Sequence, residues 1–207
     1  MISNEQWAEL EAEWSTIGPV YQIPRRSKDR LKHFCEVALP YLEGKRVLEI
    51  GANAGLFGYE ISKVAECYVG VEPGNKIIKK GKKPKTNYFK QLELTHKYMK
   101  DSKVFNETIK EYCKHPEDCN AFVATFALYH FTDKELKLLK EMVWPVCDTI
   151  VIQNRNQDRP TKHNSHKFWK DKNVIEFFFN QGFAKIKHVP FSSKDGKQQL
   201  SEIICLR

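Results

Sequence analysis

Two periods of apolar spacing alternate along this chain, and the changes between them mark out its elements. Near the N-terminus Trp7, Leu10 and Trp14 share one helical face, and Ser3 with Gln6 can form a capping box at its start. Gly18, Pro19 and Pro24 then break the pattern. Beyond Ser27, a second cap, the residues Leu31, Phe34, Cys35, Ala38, Leu39 and Leu42 form an amphipathic stripe whose end Pro40 bends. Short buried runs take over at 47–50, 67–71, 121–124 and 148–153, each of strand length. A further strand falls at 103–106 or, alternatively, at Tyr88 and Phe89. Helical spacing separates these runs. It starts from Leu56, covers 86–100 with Phe89, Leu92, His96 and Met99 on one face, and returns at Leu136, Leu139 and Val143 behind a Thr132–Glu135 capping box. Residues 174–180 read as an apolar helix closed by Gly182. Runs 183–189 and 200–206 read as strands joined by a hairpin turn at 193–197, with Asp195-Gly196 its strongest element. This order predicts an α/β chain that ends in an antiparallel hairpin.

Composition narrows the setting. At 207 residues the chain suits one domain with a sizeable core. It carries 34 Lys+Arg against 26 Asp+Glu, a net charge of +8, which permits an acidic partner such as RNA, DNA or a phosphorylated small molecule. Six scattered cysteines with no C-x-x-C pair indicate reduced thiols in a cytoplasmic protein. No apolar run reaches the roughly 18 residues of a membrane span, and the acidic N-terminus lacks a signal-peptide core. Cys113, His115 and Cys119 match no common zinc spacing, so no metal site is expected. Lys76, Lys79, Lys80, Lys82, Lys83 and Lys85 form a dense cluster, read either as a solvated helix end and loop or as a phosphate-contacting patch.

The motif around which the rest is arranged is 46–58, RVLEIGANAGLFG, a buried strand, a glycine turn and a helix start. The second strand ends in Glu72-Pro73-Gly74. Such a strand, turn and helix, with an acid closing the next strand, is a nucleotide cradle: glycines let backbone approach the ligand, and the carboxylate accepts hydrogen bonds from ribose hydroxyls. A dinucleotide site expects G-x-G-x-x-G, whereas the spacing here is G-x-N-x-G led by Glu49. That spacing resembles motif I of the class I S-adenosylmethionine-dependent methyltransferases, E/D-x-G-x-G-x-G. Asn53 replaces the middle glycine and tolerates left-handed backbone better than most residues. The strand-4 string Ala127-Leu128-Tyr129-His130-Phe131 and the terminal hairpin resemble the same family, so the likeness covers 26–207.

The resemblance implies a Rossmann-like fold: a seven-stranded, mostly parallel sheet with an antiparallel last strand inserted between strands 5 and 6, and helices on both faces. Residues 1–43 would be a helical extension or flap, and 44–207 the S-adenosylmethionine-binding core. Gly51, Ala52, Asn53 and Gly55 would line the methionine part of the cofactor, and Glu49 would orient the loop and reach the amino group through water. Glu72, followed by Pro73, would take the ribose hydroxyls. The family's strand-3 end favours 103–106 as the third strand and places Glu107, Thr108 and Ile109 at the adenine. Thr125 and Phe126 would complete the cofactor side.

Methyl transfer is in-line displacement at a sulfonium carbon, so the protein mainly positions the acceptor and shields the site. A hydroxyl acceptor also needs a base. His130 is the first candidate, with a turn-capping role as its alternative, and His163 and His166 are substrate-loop candidates. Tyr21, Arg25, Arg26, Tyr129, Asn154 and Arg155 are the candidate substrate contacts, the adjacent arginines forming a fork for a carboxylate or phosphate or standing as solvated charges. Strand 4 lacks the family's N/D-x-P-Y string, which argues against amino-group methylation of the adenine-N6 type, and no K-D-K-E tetrad is recognisable. The leading expectation is methylation of an O or N acceptor on an acidic or phosphate-bearing small metabolite, glycan or RNA. The alternative is a non-catalytic adenosine-cofactor module that holds a nucleic acid or protein partner.

Overall fold

Five short apolar runs, Arg46–Ile50 (β1), Cys67–Val71 (β2), Ser102–Phe105 (β3), Ala121–Thr125 (β4) and Thr149–Arg155 (β5), are parallel strands. The last two, Lys185–Ser192 (β6) and Gln199–Leu206 (β7), pair antiparallel, and β7 also pairs antiparallel with β5. The sheet order is β3-β2-β1-β4-β5-β7-β6, with the last strand inserted as expected. This computed structural model describes residues 3–15, 25–74, 88–156, 165–192 and 198–207, and not the side chains of residues 4, 7, 15 and 25–27. The 193–197 turn therefore lies outside the described residues, although Ser192 faces Gln199 in the ladder beside it.

Helices cover both faces because alternate strand residues are apolar on both sides. Against one face lie Arg25–Val37 (α2) and Leu56–Ile61 (α3), with Phe34, Ala38, Leu42 and Ile61 packed on Val47, Val123, Val151 and Ile204. Against the other lie Ile109–Tyr112 (α5), Asp133–Met142 (α6) and Asp171–Phe179 (α7). Leu136, Leu139, Val174 and Phe178 pack there on Phe122, Ile150 and Ile203, and Trp144 stacks edge-on with Phe122 and Phe178. Asn4–Ser15 (α1) opens with the reciprocal Ser3–Gln6 hydrogen bonds of the expected box. Its Leu10 and Trp14 pack on Leu31, Leu56 and Tyr59. Trp14 Nε1 donates to the Gln91 carbonyl of Tyr88–His96 (α4) at 3.3 Å, so the first helix also rests on α4.

Two elements differ from the expectation. The stripe toward Leu42 is not one helix: α2 ends at Val37 and a 3-10 turn carries Leu39–Leu42, because Pro40 has no N–H to donate and disfavours helical backbone just before it. Ala38 and Leu42 are still buried. In α4 the inward face is Gln91, Leu92 and Thr95, about one position round from the stripe the spacing suggested. His96 instead turns its Nε2 to the Ser102 carbonyl at 3.0 Å. No described helix is long and apolar enough to cross a membrane.

Candidate active site

The chain leaves β1 at the topological switch point, where β2 lies on one side and β4 on the other. In open α/β sheets the crevice beyond the strand ends at such a point is where ligands bind. Gly51, Asn53 and Gly55 hold φ of +77°, +55° and +81°. Asparagine is enriched several-fold in this region among non-glycine residues, which explains how it stands in a glycine position. Gly51 N–H donates to the Val71 carbonyl at 2.8 Å. The Asn53 N–H donates to Glu72 Oε2 at 2.9 Å and the Gly74 N–H to Oε1 at 3.1 Å, so the acid at the end of β2 also anchors the turn. Burial pushes the Glu72 pKa up, and these two donors pull it back. From α4, Thr95 Oγ1 donates to the Ala54 carbonyl at 2.7 Å.

Glu49 does not reach the crevice. It is 0 % exposed beneath the turn. Its carboxylate accepts the Tyr68 hydroxyl at 2.7 Å and the Thr125 hydroxyl at 3.1 Å. Burial pushes its pKa up to about 8, against the pull of those two hydroxyls. The expected water-mediated reach to an amino group is therefore replaced by a lock that joins β2, β1 and β4. Tyr68 was not singled out in the sequence, although the signal was present. Gly70 lies two residues along the same strand face, and a Cβ there would come within 2.7 Å of the Tyr68 hydroxyl. A Cβ at Gly58 would overlap the same phenol.

The end of β4 forms the opposite wall. Phe126 holds φ +54°, its N–H donating to the Gln153 carbonyl at 2.8 Å. Ala127 abuts the turn: a Cβ on Gly51 would meet Ala127 Cβ at 2.8 Å. Tyr129 is buried, while His130 is exposed on a 3-10 turn with its ring 4.4 Å from that of Tyr129. The Arg155 guanidinium lies 5.9 Å from the Phe126 ring centroid, and Arg30, which the sequence pattern did not flag, lies 4.5 Å from it. Below them Gln153 Nε2 donates to the Arg30 carbonyl and to Glu202 Oε1.

At the end of β3, Thr108 caps α5 in a reciprocal box with Glu111, which occupies its hydroxyl. The Ile109 side chain is turned into the core. Of this trio only Glu107 offers a polar side-chain atom. Its Oε1 pairs with His115 Nε2 at 3.2 Å, and its buried Oε2 has no hydrogen-bond partner among the described residues. Pro73 is half-buried beside Glu72.

Other candidates do not join this site. Asn154 is 1 % exposed and donates Nδ2 to the Phe168 carbonyl and to Asp171 Oδ1. It fastens the end of β5 to α7 and is not a surface contact, because its position on the strand turns it to the α7 face. His166 is exposed, its ring stacked 5.1 Å from Phe168 and edge-on to Phe177, also on the α7 side. Tyr21, His163 and the 76–85 lysines lie outside the described residues, as do the side chains of Arg25 and Arg26. Among the described residues no group of three or more His, Cys, Asp or Glu side chains is placed to hold a metal ion.

Among solved structures, the magnesium protoporphyrin IX methyltransferase of Synechocystis PCC 6803, with bound S-adenosylmethionine, superposes with a TM-score of 0.62 at 10 % identity, covering 92 % of this chain and 86 % of that one. The fold is that of the class I S-adenosylmethionine-dependent methyltransferases. The N-methyltransferase NodS from Bradyrhizobium japonicum superposes with a TM-score of 0.61 at 10 % identity over 89 % of this chain and 98 % of that one. Fibrillarin from Aeropyrum pernix, solved with natively bound S-adenosylmethionine, gives a TM-score of 0.54 at 12 % identity over 82 % and 70 %. No family model and no curated protein matches the chain. The likeness thus lies in the backbone, where the methyltransferase fold places its glycine turn and strand ends.

Proposed function

We propose that this protein binds S-adenosylmethionine and transfers its methyl group to an O or N acceptor on an acidic or phosphate-bearing substrate, a small metabolite, a glycan or an RNA. The observation that carries the reading is the left-handed turn at Gly51, Asn53 and Gly55 held by Glu72 at the switch point of a methyltransferase sheet. The turn brings backbone against the methionine moiety. Each Glu72 oxygen already accepts one backbone N–H and keeps a lone pair for a ribose hydroxyl. Glu107 Oε2, buried and without a donor among the described residues, fits the exocyclic amine of adenine. The bound cofactor supplies the electrophilic methyl. The chain supplies orientation, shielding from water by the flap at 1–43, and a base for a hydroxyl acceptor, for which exposed His130 beside Tyr129 is the described candidate after the end of β4.

Isothermal titration with S-adenosylmethionine and S-adenosylhomocysteine tests the cofactor. Micromolar binding is expected, and Glu72→Ala weakens it at least about tenfold, since it removes both the ribose contact and the anchor of the turn (about 1.4 kcal/mol or more). Methyl transfer from labelled cofactor into an extract, before and after nuclease, separates a small molecule or glycan from RNA. Binding without any transfer would favour the non-catalytic module. His130→Ala is expected to slow transfer about 10²-fold or more with little change in cofactor affinity, as loss of a general base does. Undiminished turnover in that variant removes His130 as the base.

A further inference from the structure

At the amino ends of β4 and β5, opposite the crevice, two buried cysteines meet. The parallel ladder aligns Ala121 with Thr149, and Cys119 and Cys147 each stand two residues before that pair. Between them the Asp148 N–H donates to the Asn120 carbonyl at 2.9 Å, which keeps the two chains side by side. Neighbouring strands run about 4.8 Å apart, inside the roughly 4.4–6.8 Å between Cα atoms that a disulfide spans. The two thiols share a hydrogen bond. The Val143 carbonyl, 3.3 Å from Cys147 Sγ, is the other acceptor for that thiol. Cys119 is 3 % exposed and Cys147 1 %.

The two sulfurs are unequal. The hydrogen bond from Cys147 lowers the Cys119 pKa and the charge of Arg46 lowers it further, against burial and Asp118. The same hydrogen bond, burial and the Cys119 charge push Cys147 far up. The first proton therefore leaves Cys119, and Cys147 keeps its own. Arg46 is held there by its ion pair with Asp118 at 3.0 Å and by its backbone N–H, which donates to Asn120 Oδ1 at 2.9 Å. Cys113 and Cys205, in the same core, are pushed up to about 11 and about 12 by burial alone. A thiolate near a cation is reactive, and a thiol buried among apolar groups is inert. Asp118, the neighbour of Cys119, has a side chain 75 % exposed, so a small oxidant has one residue to pass when the chain between α5 and β4 loosens.

We propose that Cys119 and Cys147 are a modification site, a dithiol that hydrogen peroxide closes to a disulfide and a thiol reductant reopens. Nothing in it depends on the methyltransferase reading. The Cys119 sulfur attacks one peroxide oxygen, the O–O bond breaks, and the departing hydroxide takes the thiol's proton and leaves as water. Cys147 then attacks the sulfur of the Cys119 sulfenic acid, and its proton leaves with the sulfenic hydroxyl as a second water. Two thiols have lost two electrons, and one peroxide has become two waters. Because Cys147 already adjoins Cys119, the condensation is in effect unimolecular and outpaces attack by a second peroxide.

The test takes the reduced, folded full chain in dilute hydrogen peroxide, with peptide mass spectrometry under non-reducing conditions as the readout. One peptide pair joined through Cys119 and Cys147, two hydrogens lighter than its reduced parts, is expected, and the count of free thiols drops by two from six. Dithiothreitol should restore both. Cys147→Ala should leave Cys119 as a sulfenic acid that dimedone traps, whereas Cys113→Ala should still form the link. If Cys147→Ala does not fold, the wild-type peptide map carries the test alone. A link that forms only after the chain is unfolded, a different cysteine pair joined first, or a folded chain that keeps all its thiols overturns the site.

Discussion

Gly51→Ala will weaken binding of S-adenosylhomocysteine at least about tenfold and lower the melting temperature by several degrees. Two costs arise at this one position. Its φ of +77° is left-handed backbone, which costs an L-residue about 1–2 kcal/mol. The added methyl would also come within 2.8 Å of Ala127 Cβ, inside the roughly 3.5–4.0 Å of an ordinary carbon contact. A Cβ cannot swing aside, so backbone has to move, and overpacking of this kind costs about 1–3 kcal/mol. If the turn gives way it shifts against the Glu72 anchor, and if the end of β4 gives way the facing wall moves; either change disturbs the cradle. Two controls separate the costs. Gly182 has φ +86° with nothing within 4 Å, so Gly182→Ala carries the dihedral cost alone and leaves affinity unchanged. Gly51→Ala combined with Ala127→Gly removes the overlap and recovers most of the affinity. Titration and melting of these proteins decide it, and a Gly51→Ala variant that binds like wild type would show that the turn is not the cradle.

The second large effect is on stability and its pH dependence. Glu49→Ala leaves the hydroxyls of Tyr68 and Thr125 buried without their acceptor and should cost about 2–4 kcal/mol, since each stranded group costs about 1–3. Glu49→Gln keeps a partner for both and should cost less, but it removes a titration. The native Glu49 pKa is about 8, against about 4.3 in an unfolded chain. Between those values the native state holds the extra proton, so stability falls as pH rises from about 5 to 8 and levels off above. Glu72 and Glu202, both raised by burial, act in the same direction. His33, lowered by burial, acts in the opposite one. Urea denaturation of the cofactor-free protein at pH 5, 6.5 and 8 should therefore show a flatter profile for Glu49→Gln than for wild type. Parallel profiles would place the proton elsewhere.

Local features of this protein were legible in its residues because their causes are local. A capping box joins residues only three positions apart, and Ser3–Gln6 and Thr132–Glu135 both form one. The succession of strands along the chain followed from the alternation of periods, and the insertion of the last, antiparallel strand from the family resemblance. Asn53 in a glycine position announced left-handed backbone, because φ is a property of one residue and its immediate neighbours.

Facing relations were not legible. Asn154 and Arg155 are adjacent in a polar string, but strand alternation turns one to α7 and leaves the other beside Phe126. The inward face of α4 is set by Gly55 and Ala54, which receive Leu92 and Thr95, and no helical period within α4 encodes that. Arg30 belongs to a helix whose spacing shows only its apolar stripe, and its place 4.5 Å from the Phe126 ring centroid depends on how α2 seats across the sheet. Glu49 was legible as an acid of the motif, but its role as a buried lock needed Tyr68 from β2 and Thr125 from β4. By itself the sequence determined periods, caps, turn dihedrals and the alternation of layers, all of which depend on residues a few positions apart. Which polar groups share a space depends on strand register and on how helices seat across the sheet, contacts between residues tens of positions apart that only the tertiary structure could decide.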